Sequence, residues 1–173
     1  MQYRPVLRAA LLALFCAAFL TSCGEGNTNI SPTALVDQII EDYETPQLAA
    51  LPQELLTTDY DLDLDTVESY DVRESLLDGQ PHVVAVIKAS RKEGADKAEA
   101  ALQSRLDKLK QEYKGQEEAS GLLEDAVSLR SGNYVFLAVG EFAAQMGGWG
   151  DGGRFRLDIL FEFWWRKRDC RTD

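Results

Sequence analysis

Residues 83–87 read Val83-Val84-Ala85-Val86-Ile87, five consecutive apolar positions, four of them β-branched. Such side chains lose rotamer freedom in a helix and pack well on a pleated surface, so this run is the strongest strand in the chain. A strand needs a hydrogen-bonding partner, and the sequence before it supplies one. Over residues 66–77, Val67, Ser69, Asp71 and Arg73 differ in character from Tyr70 and Val72, and Asp78-Gly79-Gln80-Pro81 follows as a turn. The two segments are expected to pair as a hairpin.

The apolar cover comes from helices. Residues 93–114 place Ala98, Leu102, Leu106, Leu109 and Tyr113 on one stripe of an otherwise charged segment, and Gly115 stands where a helix terminates. Near the start of the chain, Ser31-Pro32 gives a hydroxyl cap and a proline for the first helical position. Leu35, Val36, Ile39, Ile40 and Tyr43 then recur at helical spacing until Pro46. A shorter helical piece with Leu55 and Leu56 is expected over residues 52–58. Residues 126–130 and 134–139 are β-like and flank Ser131-Gly132-Asn133, a hairpin turn. The predicted fold is α+β, in the order α-β-β-α-β-β: a small, mostly antiparallel four-stranded sheet backed on one face by the helix over 93–114 and the helix near Leu35.

The chain begins with Met1-Gln2-Tyr3-Arg4-Pro5-Val6-Leu7-Arg8, two cations and no acid, followed by twelve apolar residues from Ala9 to Leu20. That run matches the h-region of a signal peptide and falls short of the roughly 20 residues that span a bilayer. It closes on Leu20-Thr21-Ser22-Cys23, which resembles the lipobox of bacterial lipoproteins: an aliphatic residue, two small ones, then the cysteine that takes diacylglycerol by a thioether. Cys23 is therefore the expected lipidation site, with palmitate-like chains holding the protein on the outer face of the bacterial cytoplasmic membrane. An ordinary secretory signal cut after a small residue is the competing reading. The partition that results is a signal peptide over residues 1–22, a lipidated flexible tether over 23–30, the α+β domain over 31–145, and a glycine-rich linker with an aromatic and basic tail over 146–173.

Charge and cysteine content narrow the function. The 173 residues carry 18 Lys and Arg against 29 Asp and Glu; loss of residues 1–22 removes Arg4 and Arg8 and no acid, leaving a net charge near −13. A surface this acidic repels nucleic acid and anionic headgroups, so no nucleic-acid partner is expected. With Cys16 in the leader and Cys23 acylated, Cys170 remains alone and no intrachain disulfide forms, so stability must come from packing.

The stretch Leu62-Asp63-Leu64-Asp65-Thr66-Val67-Glu68-Ser69-Tyr70-Asp71-Val72-Arg73, the run Val83-Val84-Ala85-Val86-Ile87-Lys88-Ala89, the charged helix and Ser131-Gly132-Asn133-Tyr134-Val135-Phe136-Leu137 together resemble the uncharacterised lipoproteins with domain of unknown function 4358. The resemblance covers roughly half of the chain, residues 60–139. It implies a small lipid-anchored protein of a Firmicutes-type bacterium and brings no activity and no site residues. The 76–81 loop departs from the polar, asparagine-containing loop the resemblance implies.

No motif assigns chemistry. Asp59, Asp61, Asp63 and Asp65 alternate with Tyr60, Leu62 and Leu64, and clustered carboxylates suit calcium. An EF-hand counted from Asp59 or Asp61 meets Leu64 or Thr66 where glycine belongs and Tyr70 or Val72 where the bidentate glutamate belongs, so the preferred reading is a solvated acidic turn and no metal is assigned. His82 is the one histidine and stands at a strand start without a Gly-x-Ser-x-Gly elbow, which reads as structural. Gly147, Gly148, Gly150, Gly152 and Gly153 around Trp149 and Asp151 lack a phosphate-binding signature and read as a linker. Three readings stay open for Leu157, Ile159, Leu160, Phe161, Phe163, Trp164 and Trp165 before Arg166-Lys167-Arg168: packing on the core, a tail altered by a frameshift, and contact with a membrane interface.

The expected function is a non-catalytic binding or accessory lipoprotein of the cell envelope, its partner a protein, a peptide or a cell-wall component, with no cofactor beyond the diacylglycerol on Cys23. A surface hydrolase with a carboxylate-based site and a structural or assembly factor at the membrane are the alternatives.

Overall fold

The computed structural model describes residues 29–77 and 79–147. Helix α1 (Pro32–Asp42), the short edge strand β1 (Leu48–Ala50) and helix α2 (Gln53–Thr58) lead through a 3-10 turn (Leu64–Thr66) into β2 (Val67–Ser75) and β3 (Val83–Ala89). Helix α3 (Lys92–Glu112), helix α4 (Glu117–Glu124), the β4 (Val127–Ser131) and β5 (Tyr134–Val139) hairpin, and α5 (Glu141–Gly147) complete the order.

The sheet has five strands, in the order β1-β2-β3-β5-β4, and every neighbouring pair is antiparallel. The α+β class and both hairpins agree with expectation; the four-stranded count is corrected by β1. Only Leu48, Ala49 and Ala50 form that strand, opposite Ser75, Glu74 and Arg73. Three residues are too few to show a period in sequence, and the pairing depends on a partner two dozen positions away.

The helices also divide between the faces, which corrects the expectation of cover on one side. Strand residues alternate faces, and along β3, Val83, Ala85, Ile87 and Ala89 join the cluster with α3 residues Ala98, Leu102 and Leu106, together with Leu123 of α4. Val84 and Val86 join the opposite cluster, with Val36 and Ile39 of α1 and Phe142, Ala143 and Met146 of α5. Every residue of β3 is buried. A strand buried on both faces has no polar face to solvate, which is the reason for the uninterrupted apolar run.

Two local departures have clear causes. Strand β2 shifts register between Val67 and Ser69, so Glu68 is an extra residue. Val67 therefore returns to the face of Tyr70 and Val72, against α3, although strict alternation would oppose them. At the start of α3, Gly94 is buried under the 3-10 turn, where an added Cβ would lie 2.6 Å from the Thr66 carbonyl oxygen. In an open helix Gly94→Ala gains about 1 kcal/mol. Here crowding against backbone costs about 1–3 kcal/mol and decides the sign. Urea denaturation is expected to show a less stable variant; a more stable one would mean that the turn yields freely.

Candidate functional site

The segment after β2, with the second half of α3, walls an open cleft of about 380 Å³ lined among others by Glu74, Leu76, Leu77, Arg105, Glu112 and Tyr113. Leu76 and Leu77 are 62% and 50% exposed, and with Leu55 they are the large apolar side chains exposed among the described residues. Two adjacent leucines exposed directly after β2 keep apolar surface in water, an arrangement that suits contact with a partner surface.

Beneath the loop the wall is held by a polar network that the core cannot leave unpaired. The Tyr60 hydroxyl donates to Glu74 Oε1 at 2.6 Å, and Arg105 Nη2 lies 3.3 and 3.5 Å from the two Glu74 oxygens. The Arg105 guanidinium also stacks 5.4 Å from the Tyr60 ring centroid. Burial raises the Tyr60 hydroxyl well above its ordinary range, and the Glu74 carboxylate adds to that, so the phenol stays protonated at neutral pH. Burial works against the charge on Arg105, but Glu74 and Tyr60 outweigh it and the guanidinium is held more firmly cationic than usual. Neither the Tyr60 phenol nor the Arg105 guanidinium exchanges a proton near neutrality. Arg105 Nε is buried and has no hydrogen-bond partner among the described residues. The arrangement can hold the hairpin end against α3 and offer hydrogen bonds to a bound group.

His82 immediately precedes β3 and is 4% exposed. Its Nε2–H donates to Glu141 Oε2 at 2.8 Å, tying the hairpin to the start of α5, while Nδ1 is buried without a partner among the described residues. The Glu141 backbone N–H and then His82 hold the Glu141 carboxyl below its ordinary value. A depressed carboxyl contributes stability above its unfolded value, and the contribution is lost as pH falls through the folded one. The difference in thermal midpoint between wild type and Glu141→Gln is therefore expected at neutral pH and to vanish in acid; a difference that grows in acid would contradict this pairing.

The acidic turn does not gather into a site. Tyr60 and Leu62 point inward and are buried, while Asp61, Asp63 and Asp65 face solvent. The Asp63 carboxylate receives Lys97 Nζ at 2.8 Å, and that hydrogen bond lowers its pKa. Asp59 receives the Thr58 hydroxyl at 3.0 Å, and its backbone oxygen receives Lys108 Nζ at 2.8 Å. Among the described residues no three His, Cys, Asp or Glu side chains are placed to hold a metal ion. Leu20, Thr21, Ser22 and Cys23, the glycines from 148 onward, and the aromatic and basic residues of the tail lie outside the described residues.

Sequence reasoning passed over Lys88. Its ammonium is buried, pairs with Glu68, donates to Asn29 Oδ1 at 2.8 Å and lies 6.0 Å from the Tyr134 ring centroid. Beside it Ile30 N–H donates to the Tyr134 hydroxyl at 3.0 Å, and that hydroxyl donates back to the Ile30 carbonyl at 2.8 Å. Ile30 is buried against α1 and β3, so residues 29 and 30, placed by sequence at the end of the tether, are packed on the domain. The available signal was a lysine inside an apolar strand run, which a buried position tolerates only with partners.

A family model, domain of unknown function (DUF4358), matches residues 41–140. The chain belongs to that family. The matched span runs from the end of α1 through β5, so it takes in the whole sheet and the Tyr60–Glu74–Arg105 network. Comparison with curated proteins and with solved structures finds no match.

Proposed function

We propose that this protein is a lipid-anchored, extracytoplasmic binding or accessory protein of the cell envelope, held on the outer face of the cytoplasmic membrane by diacylglycerol on Cys23. The observation that carries the reading is the ordered series of two cations, twelve apolar residues and Leu20-Thr21-Ser22-Cys23. Among the described residues no helix is long and apolar enough to cross a membrane. A binding role is supported by the cleft surface: Arg105 in its wall is held firmly cationic, and the exposed feature beside it is the Leu76–Leu77 pair. The partner it suits is a protein, a peptide or a cell-wall component that offers apolar and hydrogen-bonding groups together.

Replacement of Cys23 by serine removes the thiol that a thioether needs. In cells fed labelled palmitate, wild type is expected to carry label and to sediment with membranes, and Cys23→Ser to lose both. A variant that stays membrane-bound at the wild-type level would sink the anchoring claim.

A further inference from the structure

We infer that Lys88 and Tyr134 clamp the chain where it enters the domain, so that the end of the sheet bearing them faces the lipid and the cleft beside Leu76 and Leu77 faces away. The inference rests on the anchoring of Cys23 proposed above.

Lys88 and Tyr134 are directly opposite each other on β3 and β5. Between them they hold Asn29 by its side chain and Ile30 by both backbone groups, and Ile30 is buried. The entering backbone is thus fixed to one end of the sheet. Six chain steps separate Cys23 from Asn29, a reach of about 20 Å when fully extended. The clamped end cannot lie farther than that from the lipidated residue. Along β3, Val83 lies at the other end of the pairing with β5, opposite Val139. Five strand residues span about 17 Å, and Leu76, Leu77 and residues 79–81 lie beyond Val83.

A point tether alone permits the body to lie on its side. Charge opposes that: a mature net charge near −13 is repelled by an anionic lipid surface, which pushes the body outward while the tether holds one end. The consequence is a polarised domain. Leu76, Leu77 and the Arg105 cleft are presented to the aqueous side, where an envelope partner meets them, and are kept from inserting into the protein's own membrane.

The test uses the full lipidated chain with Cys170→Ser, reconstituted in vesicles of phosphatidylcholine and phosphatidylglycerol with quencher-labelled headgroups. A fluorophore is placed at Arg91→Cys, exposed beside the clamped end of β3, or at Leu77→Cys in the loop. Stronger quenching at position 91 than at 77 is expected. Equal quenching, or stronger quenching at 77, overturns the inference. Asn29→Ala with Tyr134→Phe removes the clamp's side-chain contacts and leaves the strands intact; the difference between positions is expected to shrink, and an unchanged difference removes the clamp as its cause. Vesicle flotation separates the two levels: if the chain carrying Cys23 fails to float, the anchoring reading fails, whereas a floating chain with the wrong quenching order overturns only the orientation.

Discussion

Phe136→Ala is expected to lower the unfolding free energy by about 3–5 kcal/mol, read as a shift in urea midpoint of the leaderless protein. Phe136 sits in β5 between Val86 of β3 and Leu129 of β4, is 2% exposed, and faces the layer formed by α1 and α5. Removing the ring forfeits its transfer from water and leaves a cavity that two neighbouring strands and two helices cannot close together. Against a total stability of about 5–15 kcal/mol this is a large share. Leu76→Ala, by contrast, removes an exposed side chain and is expected within about 0.5 kcal/mol of wild type. Equal losses at the two positions would contradict the placement of the second core layer.

Gly140→Ala is expected to cost about 2–5 kcal/mol, from two sources that add. Gly140 joins β5 to α5 at φ +142, a conformation that side chains with a Cβ rarely adopt. A Cβ there would also meet the Phe142 ring at 2.5 Å and His82 Cδ2 at 2.6 Å. Both rings are buried, so neither moves without disturbing the hairpin end or the helix. The double variant with Phe142→Leu separates the sources: crowding is relieved in part, backbone strain is not. Full recovery in the double variant would show that the backbone itself is unstrained.

The legible parts of the fold are those with a long period. The apolar stripe of α3 and the β-branched run of β3 each appear in local sequence, and both lie where expected, with α3 over Lys92–Glu112 and β3 over Val83–Ala89. The unbroken run of β3 also carried the second layer, since a strand with no polar face implies cover on both; reading it only as a strong strand left α1 and α3 on one side. Helices α4 and α5 are eight and seven residues long, two turns each, and Gly121 breaks up the apolar pattern of the former. Their helicity comes from packing Leu123 and Phe142 on the two faces rather than from propensity. The candidate site was the least legible. Tyr60 in the loop after α2, Glu74 of β2 and Arg105 of α3 stand 14 and 31 positions apart along the chain, and only the fold brings them together. The same holds for Asn29 and Lys88, separated by 59 positions.

For function, the proposed anchoring rests on Leu20-Thr21-Ser22-Cys23, and the described residues add the surface that a chain so anchored would present: exposed leucines after β2 beside a polar cleft, at the far end of the sheet from the entering chain. The most direct test is the mass of the mature N-terminus, isolated from membranes of the producing cell. The account predicts a chain that begins at Cys23 and carries diacylglycerol on that residue. A mature chain that begins elsewhere, or begins at Cys23 with a free thiol, would contradict it.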